Sequence, residues 1–483
     1  MKPRALLPLV LAAVAMAWLV VSWGYVEDDA LIHIEFAQNL AHGNGFTFDG
    51  KNVYGDSSPA WVLLLAGFLR AGLSLTYAAK AASILGVIVC AVGVARIGLV
   101  LLVRPAYRTA LWLLVALHPF TLFWMFAGME TLAAIGVASW LLASIGAPGT
   151  RPRPFWRIVD DAIEGLAPLL RFELLPLTVA AAVSRSRDRG ERWLATAARV
   201  AAAVAPFAAW TVYAKVTFGT WGPTTNSAKR IVASSKLAGI AEAVVREASV
   251  MASGFGVLLV LYAAYLFWPR KRQGRAETPA SLDARWWAVV AWPLAALAFY
   301  AVNRTAMQTR YGLPIGFFLG AALLSYDERS RGRRRPPWVV LAPTLGAYIT
   351  LFFLTVVPFV SNKATTLSQM TAFLEEMKLQ VPPSEPVACY SVGLLALKLD
   401  NPIVDTGGIM LSDMIPALAG GMPLIDWIRS KGARCVVAGE PPSSRHVELA
   451  RVSLPAIGWY IRPSAFRAEY PSVLYCEPDL PRP

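Results

Sequence analysis

Three consecutive carboxylates, Glu27, Asp28 and Asp29, follow directly on the first apolar run of the chain. Acids at a lipid boundary suit proton transfer: a carboxylate there can take the proton of an attacking hydroxyl, provided cations stand close enough to stabilise a departing anion. Four further clusters supply matching groups. Gly128-Met129-Glu130-Thr131 and Arg171-Phe172-Glu173 add two acids and a guanidinium. Pro223 to Lys229 adds Asn226 and an ammonium, and Arg310-Tyr311-Gly312-Leu313-Pro314 adds a second guanidinium. Arginine grips phosphate with a bidentate fork and lysine as a point charge, which makes Lys229 and Arg310 candidate phosphate ligands. His33 stands four residues beyond Asp29 and shares its helix face. Each cluster by itself also has an ordinary explanation: first-turn acids that complement a helix dipole, an internal ion pair in a hairpin, or cations that snorkel to headgroups. His118, a single histidine before Pro119, reads as packing.

The elements that must position these groups are membrane helices. Hydrophobic residues make up 56% of the 483 positions and charged residues 16%, more apolar surface than a soluble globule of this size buries. The net charge of +14 does not point to nucleic acid, because the arginines fall in short clusters between apolar runs, the pattern of the cytoplasmic side of a membrane. Nucleotide-sugar chemistry is disfavoured too, since no Gly-rich phosphate loop occurs. Four cysteines without CxxC or Cys/His spacing leave no visible zinc site. A divalent cation held by the carboxylates stays open.

Residues 5 to 24 form the first span, behind Lys2 and Arg4. A cleaved signal peptide competes with it, because Ala13-Val14-Ala15 and Ala15-Met16-Ala17 resemble cleavage sites; both readings put residue 27 outside. Further apolar runs cover about 77 to 103, 109 to 126, 129 to 147, 194 to 217, 251 to 269, 286 to 303, 309 to 326 and 337 to 360. The stretch 158 to 183 lies between two arginine groups, and a single crossing would strand one of them outside. A hairpin of two short helices turning near Pro168 to Pro176 resolves the conflict and carries Arg171 and Glu173 to its tip. Every strong basic group then faces the cytoplasm, about eleven membrane helices result, and all five clusters share the outer side.

Residues 1–360 are thus expected to form an α-helical polytopic membrane domain, with residues 25–76 as its first outer loop. The stretch after Asp29 to about Ala41 reads as a helix along the membrane surface, with Leu31, Ile34 and Phe36 apolar. Residues 361–483 shorten to strand-length runs, as in Pro386 to Ser391, Pro402 to Asp405, Arg434 to Ala438 and Val473 to Cys476, and read as a small extracytoplasmic α/β domain. Three of its cysteines permit one disulfide, and Cys435 with Cys476 is the guess.

Asp28-Asp29-Ala30-Leu31-Ile32, Asn39-Leu40-Ala41-His42-Gly43-Asn44-Gly45-Phe46 and Gly55-Asp56-Ser57-Ser58-Pro59-Ala60-Trp61 resemble the first outer loop of the GT-C membrane glycosyltransferases. The branch they look most like is the terminal arabinofuranosyltransferase-like group, which includes proteins annotated for flagellar motor control. Ala127 to Thr131, Arg171 to Glu173, Pro223 to Lys229 and Arg310 to Pro314 look like its later motifs. The resemblance implies a GT-C fold, a polyprenyl-phosphate sugar donor and a catalytic carboxylate in the first loop. It gives the base role to Asp28 with Asp29 as partner or acceptor-positioning group, donor-phosphate binding to Arg171, Lys229 and Arg310, and substrate orientation to Glu130 and Glu173. His33 and Asn226 join the orienting set. Leu31, Glu35 and Phe172 depart from the aromatic, arginine and proline that the group often carries, so arabinose itself is not implied.

The expected protein is a multi-pass glycosyltransferase of the bacterial plasma membrane. It moves a sugar, with inversion, from a polyprenyl phosphate to a hydroxyl of an extracytoplasmic glycan or glycolipid. A transporter or flippase is one rival, against which stands the lack of paired halves or matching broken helices. A noncatalytic assembly or motor-associated membrane protein that inherited the fold is the other.

Overall fold

The computed structural model describes residues 3–146, 154–224, 260–262, 264–265, 283–302, 309–331, 336, 338–408, 410–411, 413–455 and 469–478. Asn226 and Lys229 lie outside the described residues, as do the basic groups at 270–275 and 333–335.

The first apolar run forms α1 (Pro3–Val21), and a short turn leads into α2 (Asp28–Ala41), whose first turn carries Asp28 and Asp29 where the helix dipole favours negative charge. α2 ends at His42, and Gly43 and Gly45 take φ of 85° and 77° to close the following turn. Within the expected first loop, Pro59–Arg70 forms a further helix, α3, with Pro59 at its first position. Leu31, Ile34 and Phe36 are all buried, against α3 and the C-terminal part of the chain. The apolar face of α2 therefore meets protein, and does not lie along lipid as its pattern implied.

α4 (Leu75–Leu101) and α7 (Thr131–Ser144) pack backbone to backbone. A Cβ on Gly93 would stand 2.1 Å from Gly136 O, and one on Gly136 would stand 2.3 Å from Val89 O, so the two backbones touch through small residues. Between them α5 (Pro105–Ala116) and α6 (Pro119–Met125) bend by 60° at His118-Pro119. His118 is fully buried and its Nδ1 accepts from Phe120 N–H at 3.1 Å, which caps α6. The expected hairpin is present as α8 (Pro154–Leu170), a 3₁₀ turn at Phe172–Leu174, and α9 (Leu175–Asp188). Its far end is tied by Arg185 to Asp161 at 2.6 Å and by Arg96 to Asp160 at 3.0 Å. α10 (Trp193–Phe218), α11 (Ala284–Val302) and α12 (Thr309–Arg331) follow. α13 (Trp338–Leu351) passes through a π turn at Phe352–Val356 into α14 (Val357–Gln380), one continuous helix of 43 residues that runs on beyond residue 360.

By length and composition, α4, α10 and the α13–α14 helix are able to cross a membrane, and the bent α5–α6 pair makes a fourth among the described residues. Of the other expected runs, 5–24, 286–303 and 309–326 return as α1, α11 and α12 and 129–147 as the shorter α7, while most of 251–269 lies outside the described residues. Ile88, Val92 and Leu99 on α4 and Val212 and Val216 on α10 point outward, the surface a membrane protein turns to lipid.

The C-terminal part holds β1 (Val387–Cys389), α15 (Val392–Lys398), β2 (Ile403–Asp405), α16 (Met414–Ala419), α17 (Leu424–Ser430), β3 (Cys435–Ala438), β4 (Val447–Pro455) and β5 (Glu469–Cys476). The sheet order is β2-β1-β3-β5-β4, parallel among the first three strands and antiparallel beyond. α15 supplies the crossover that the parallel β1–β2 pair requires. Cys435 and Cys476 face each other across β3 and β5 and form the disulfide, while Cys90 and Cys389 are free. β4 was not foreseen: it is an edge strand whose Val447, Glu448 and Leu449 are exposed, so no apolar run marks it.

This sheet domain sits directly on α2. A Cβ at Gly393 of α15 would fall 2.7 Å from Asp28 O and 2.9 Å from Leu31 Cβ. Asp49 accepts from Ile403 N–H at 2.8 Å, and Lys51 donates to Ile403 O at 3.1 Å.

Candidate active site

Four segments distant in sequence converge at one end of the helices: the first turn of α2, the α6–α7 loop, the α8–α9 turn and the first turn of α12. The loop before α7 is held by backbone geometry. Gly128 takes φ of 88°, and a Cβ there would stand 2.9 Å from Ala30 Cβ, so only glycine lets the loop lie against α2. Trp61 Nε1 donates to Gly128 O at 2.9 Å, and Glu27 N–H donates to Ala127 O at 3.0 Å. Lys80, 1% exposed, donates to Ser22 O at 2.8 Å, Tyr25 O at 2.5 Å and Phe126 O at 2.7 Å. One buried ammonium thus ties the strand of chain before Asp28 to the loop before Glu130, and its three donors satisfy carbonyls that no helix satisfies.

From that loop a line of alternating charge runs inward. Asp56, whose Oδ1 accepts from Ser58 N–H at 2.6 Å, pairs through Oδ2 with His33 Nδ1. His33 Nε2 lies 3.4 Å from Glu130 Oε2. Glu130 Oε1 accepts from Arg171 at 2.7 Å, and Arg171 Nε donates to Glu173 Oε1 at 2.9 Å. Tyr300 of α11 closes the line by donating to the same Glu173 oxygen at 2.6 Å. Burial works against a charged His33, yet the two carboxylates beside it raise its pKa to about 10, so the ring is an imidazolium.

A second branch starts at α12. Arg310 lies 2.7 Å from Asp29 Oδ2 and donates to Tyr311 Oη at 3.0 Å. The Tyr311 ring is flanked by both guanidiniums, with Arg171 Cζ 4.8 Å and Arg310 Cζ 4.9 Å from its centroid. Arg171, Glu173, Trp292, Tyr300, Arg310 and Tyr311 line one cavity. Arg310 Nε and Glu173 Oε2 are buried there without a hydrogen-bond partner among the described residues, a donor and an acceptor left for something polar.

Asp28 precedes Asp29 in the first turn of α2 and is partly exposed. Burial of the carboxyl and the neighbouring Asp29 push its pKa up to about 7, against the lowering effect of Lys363 on α14; Asp405 at the end of β2 adds to the rise. Asp405 itself is buried and accepts from Gly407 N–H at 2.7 Å and Met410 N–H at 2.6 Å. Adjacent residues on a helix point about 100° apart, which is how Asp29 serves Arg310 while Asp28 feels Lys363 and Asp405.

Asp29, Glu130, Arg171, Glu173 and Arg310 are thus joined in two linked branches, with Asp28 beside them. His33 does not pair with Asp29, which its spacing placed on the same face; it turns to Asp56 and Glu130. Lys80, Tyr300, Lys363 and Asp405 were not singled out from sequence. Lys80 carried a signal, as a lone cation inside a long apolar helix, whereas a tyrosine in α11 and an aspartate in a small domain carry none. Among the described residues no group of three or more His, Cys, Asp or Glu is arranged to hold a metal ion.

No protein-family model and no curated protein sequence matches the chain. Two solved structures share its fold over nearly the whole length. ArnT from Cupriavidus metallidurans in the apo state aligns with a TM-score of 0.53 at 13% identity, covering 99% of this chain and 98% of that one. The same protein bound to undecaprenyl phosphate aligns with a TM-score of 0.55 at 14% identity, covering 98% of this chain and 99% of that one. The chain has an ArnT-like fold.

Proposed function

We propose that this protein is a GT-C-type glycosyltransferase of the bacterial plasma membrane that moves a sugar from a polyprenyl phosphate to a hydroxyl of an extracytoplasmic glycan or lipid. The observation that carries the reading is the cavity in which Arg171 and Arg310 flank Tyr311, with Arg310 Nε unmatched among the described residues and Asp29 paired to Arg310. The fold shared with ArnT, of which one structure holds undecaprenyl phosphate, supports a lipid-phosphate donor. The Cys435–Cys476 disulfide suits an oxidising compartment and supports an outer position for the sheet domain.

Arg171 and Arg310, together with Lys229, hold the donor phosphate; Glu130, Glu173, His33 and Asn226 orient the substrates. The acceptor hydroxyl oxygen attacks the anomeric carbon on the face opposite the phosphate. Asp28 takes the hydroxyl proton, the carbon–oxygen bond to phosphate breaks, and the phosphate leaves with the bonding pair, its charge held by the guanidiniums. The configuration at the anomeric carbon inverts. Asp28 is suited to the base role because a pKa near 7 keeps it basic yet ionisable at neutral pH. The sheet domain, which brings Asp405 and Gly393 up to α2, holds the acceptor.

The test is transfer by the purified full chain from a polyprenyl-phosphate sugar fraction to an envelope-glycan fraction, with mass spectrometry of the product. Transfer that Asp28→Asn abolishes is expected. Flux of the lipid-linked sugar across liposomes, unchanged in Asp28→Asn and without transfer, would establish a transporter instead. A cellular phenotype indifferent to joint replacement of Asp28 and Asp29 would establish a noncatalytic role.

A further inference from the structure

Arg171 and Arg310 are both paired with carboxylates, but the two pairings differ. Arg171 is held between Glu130, whose side chain is 2% exposed, and Glu173, at 13%. Both acids are largely buried. Arg310 is paired with Asp29, whose side chain is 31% exposed and stands in the first turn of a helix, while Arg310 itself is 8% exposed and fixed by Tyr311. Asp29 is the more exposed partner of the two. The pairing also uses only one nitrogen of the guanidinium: Asp29 meets the terminal NH2, and the adjacent Nε, buried at the cavity, has no partner among the described residues. A phosphate takes both nitrogens of that edge at once, which a carboxylate placed as Asp29 is does not.

We propose that Asp29 is an internal stand-in for the donor phosphate on Arg310: the incoming phosphate displaces Asp29, and the released carboxylate then accepts the hydrogen bond of the acceptor hydroxyl. Donor binding thereby completes the acceptor site, and the two substrates bind in the order donor, then acceptor. A buried arginine is never left unpaired between turnovers, and the acceptor finds no competent site before the donor is present. This deepens the transferase reading and rests on it.

The experiment uses the full chain in lipid nanodiscs with undecaprenyl phosphate as the probe. Asp29→Asn removes the competitor, so the probe binds about fivefold more tightly while transfer falls; Arg310→Gln weakens the probe by about tenfold or more. An unchanged or weaker affinity in Asp29→Asn, with Arg310→Gln still impaired, overturns the exchange and leaves the phosphate reading standing. An Arg310→Gln variant that binds the probe as wild type does overturns that reading itself. Unmodified protein gives a measurement free of folding effects: undecaprenyl phosphate, as product, should inhibit competitively against donor and noncompetitively against acceptor. Random-order kinetics overturn the exchange.

Discussion

Arg171, at the tip of a helical hairpin, donates to Glu130 at 2.7 Å across 41 residues of sequence. The contact joins the hairpin to the loop before α7 and links the His33 cluster to the cavity. An isolated charge at this depth would cost several kcal/mol, roughly. Alternation of sign from Asp56 through His33, Glu130 and Arg171 to Glu173 offsets that cost and fixes the relative positions of four segments.

Glu130→Gln is therefore expected to strip Arg171 and His33 of a shared partner and to lower stability by roughly 3–5 kcal/mol. Thermal melting in detergent checks it. Arg171→Lys, which keeps the charge but not the planar fork, should lie between wild type and Arg171→Gln; equal melting of all three would show that the pair carries no structural weight.

Transfer should rise with pH through about 7, the pKa of Asp28, because a base must be deprotonated to act. The effect on stability has the opposite sign. A carboxyl raised from 3.8 to about 7 favours the fold while protonated, so its contribution is full below the ordinary value and is lost as pH rises through 7. The pH profile of kcat/KM provides the measurement, and a profile flat between pH 6 and 8 (about one unit either side of 7) would remove Asp28 from the base role.

His33 should remain protonated across the physiological range, since its pKa is raised from 6.5 to about 10 by Asp56 and Glu130 against the effect of burial. Its contribution to stability is complete below 6.5 and disappears as pH passes 10. Nitrogen chemical shifts of labelled histidine at pH 8 will show an imidazolium if this holds. Asp56→Asn should bring the titration down toward neutrality.

Lys80→Met is expected to remove the side-chain donor from three carbonyls, of which Ser22 O keeps the Tyr25 N–H at 3.0 Å, and to cost about 3 kcal/mol or more. The α1–α2 connection and the loop before Glu130 lose their common tie. Backbone hydrogen exchange should then quicken in residues 22–28 and 126–130 together; faster exchange in one segment alone would count against the coupling.

Gly393→Val forces a side chain into α2 at the Asp28 carbonyl, where even a Cβ would stand at 2.7 Å. Transfer should drop by about tenfold or more, with the disulfide-closed domain still folded, because reacting groups are sensitive to shifts of order 1 Å. Activity at the wild-type level would separate the sheet domain from the site.

The apolar runs, the basic clusters and the acid motif placed helices, hairpin and candidate residues from one dimension alone, since burial of apolar surface and the cost of stranded charge act locally and leave periodic traces. The hairpin tip at Arg171 followed from charge bookkeeping, and the α2 helix from its acids and its closing glycines. The helical stretch at Pro59–Arg70 and the edge strand at Val447–Pro455 escaped, the first hidden in an expected loop and the second by its exposed side chains. What the sequence determined by itself, then, was which segments are apolar and which side chains are chemically able. Only the tertiary structure decided who meets whom: that His33 answers Asp56 and not Asp29, that Lys80 clamps two loops, and that Asp29 sits on Arg310. Those pairings join segments tens to hundreds of residues apart, and they are selected by the need to satisfy every buried charge at once, a condition no local window of sequence contains.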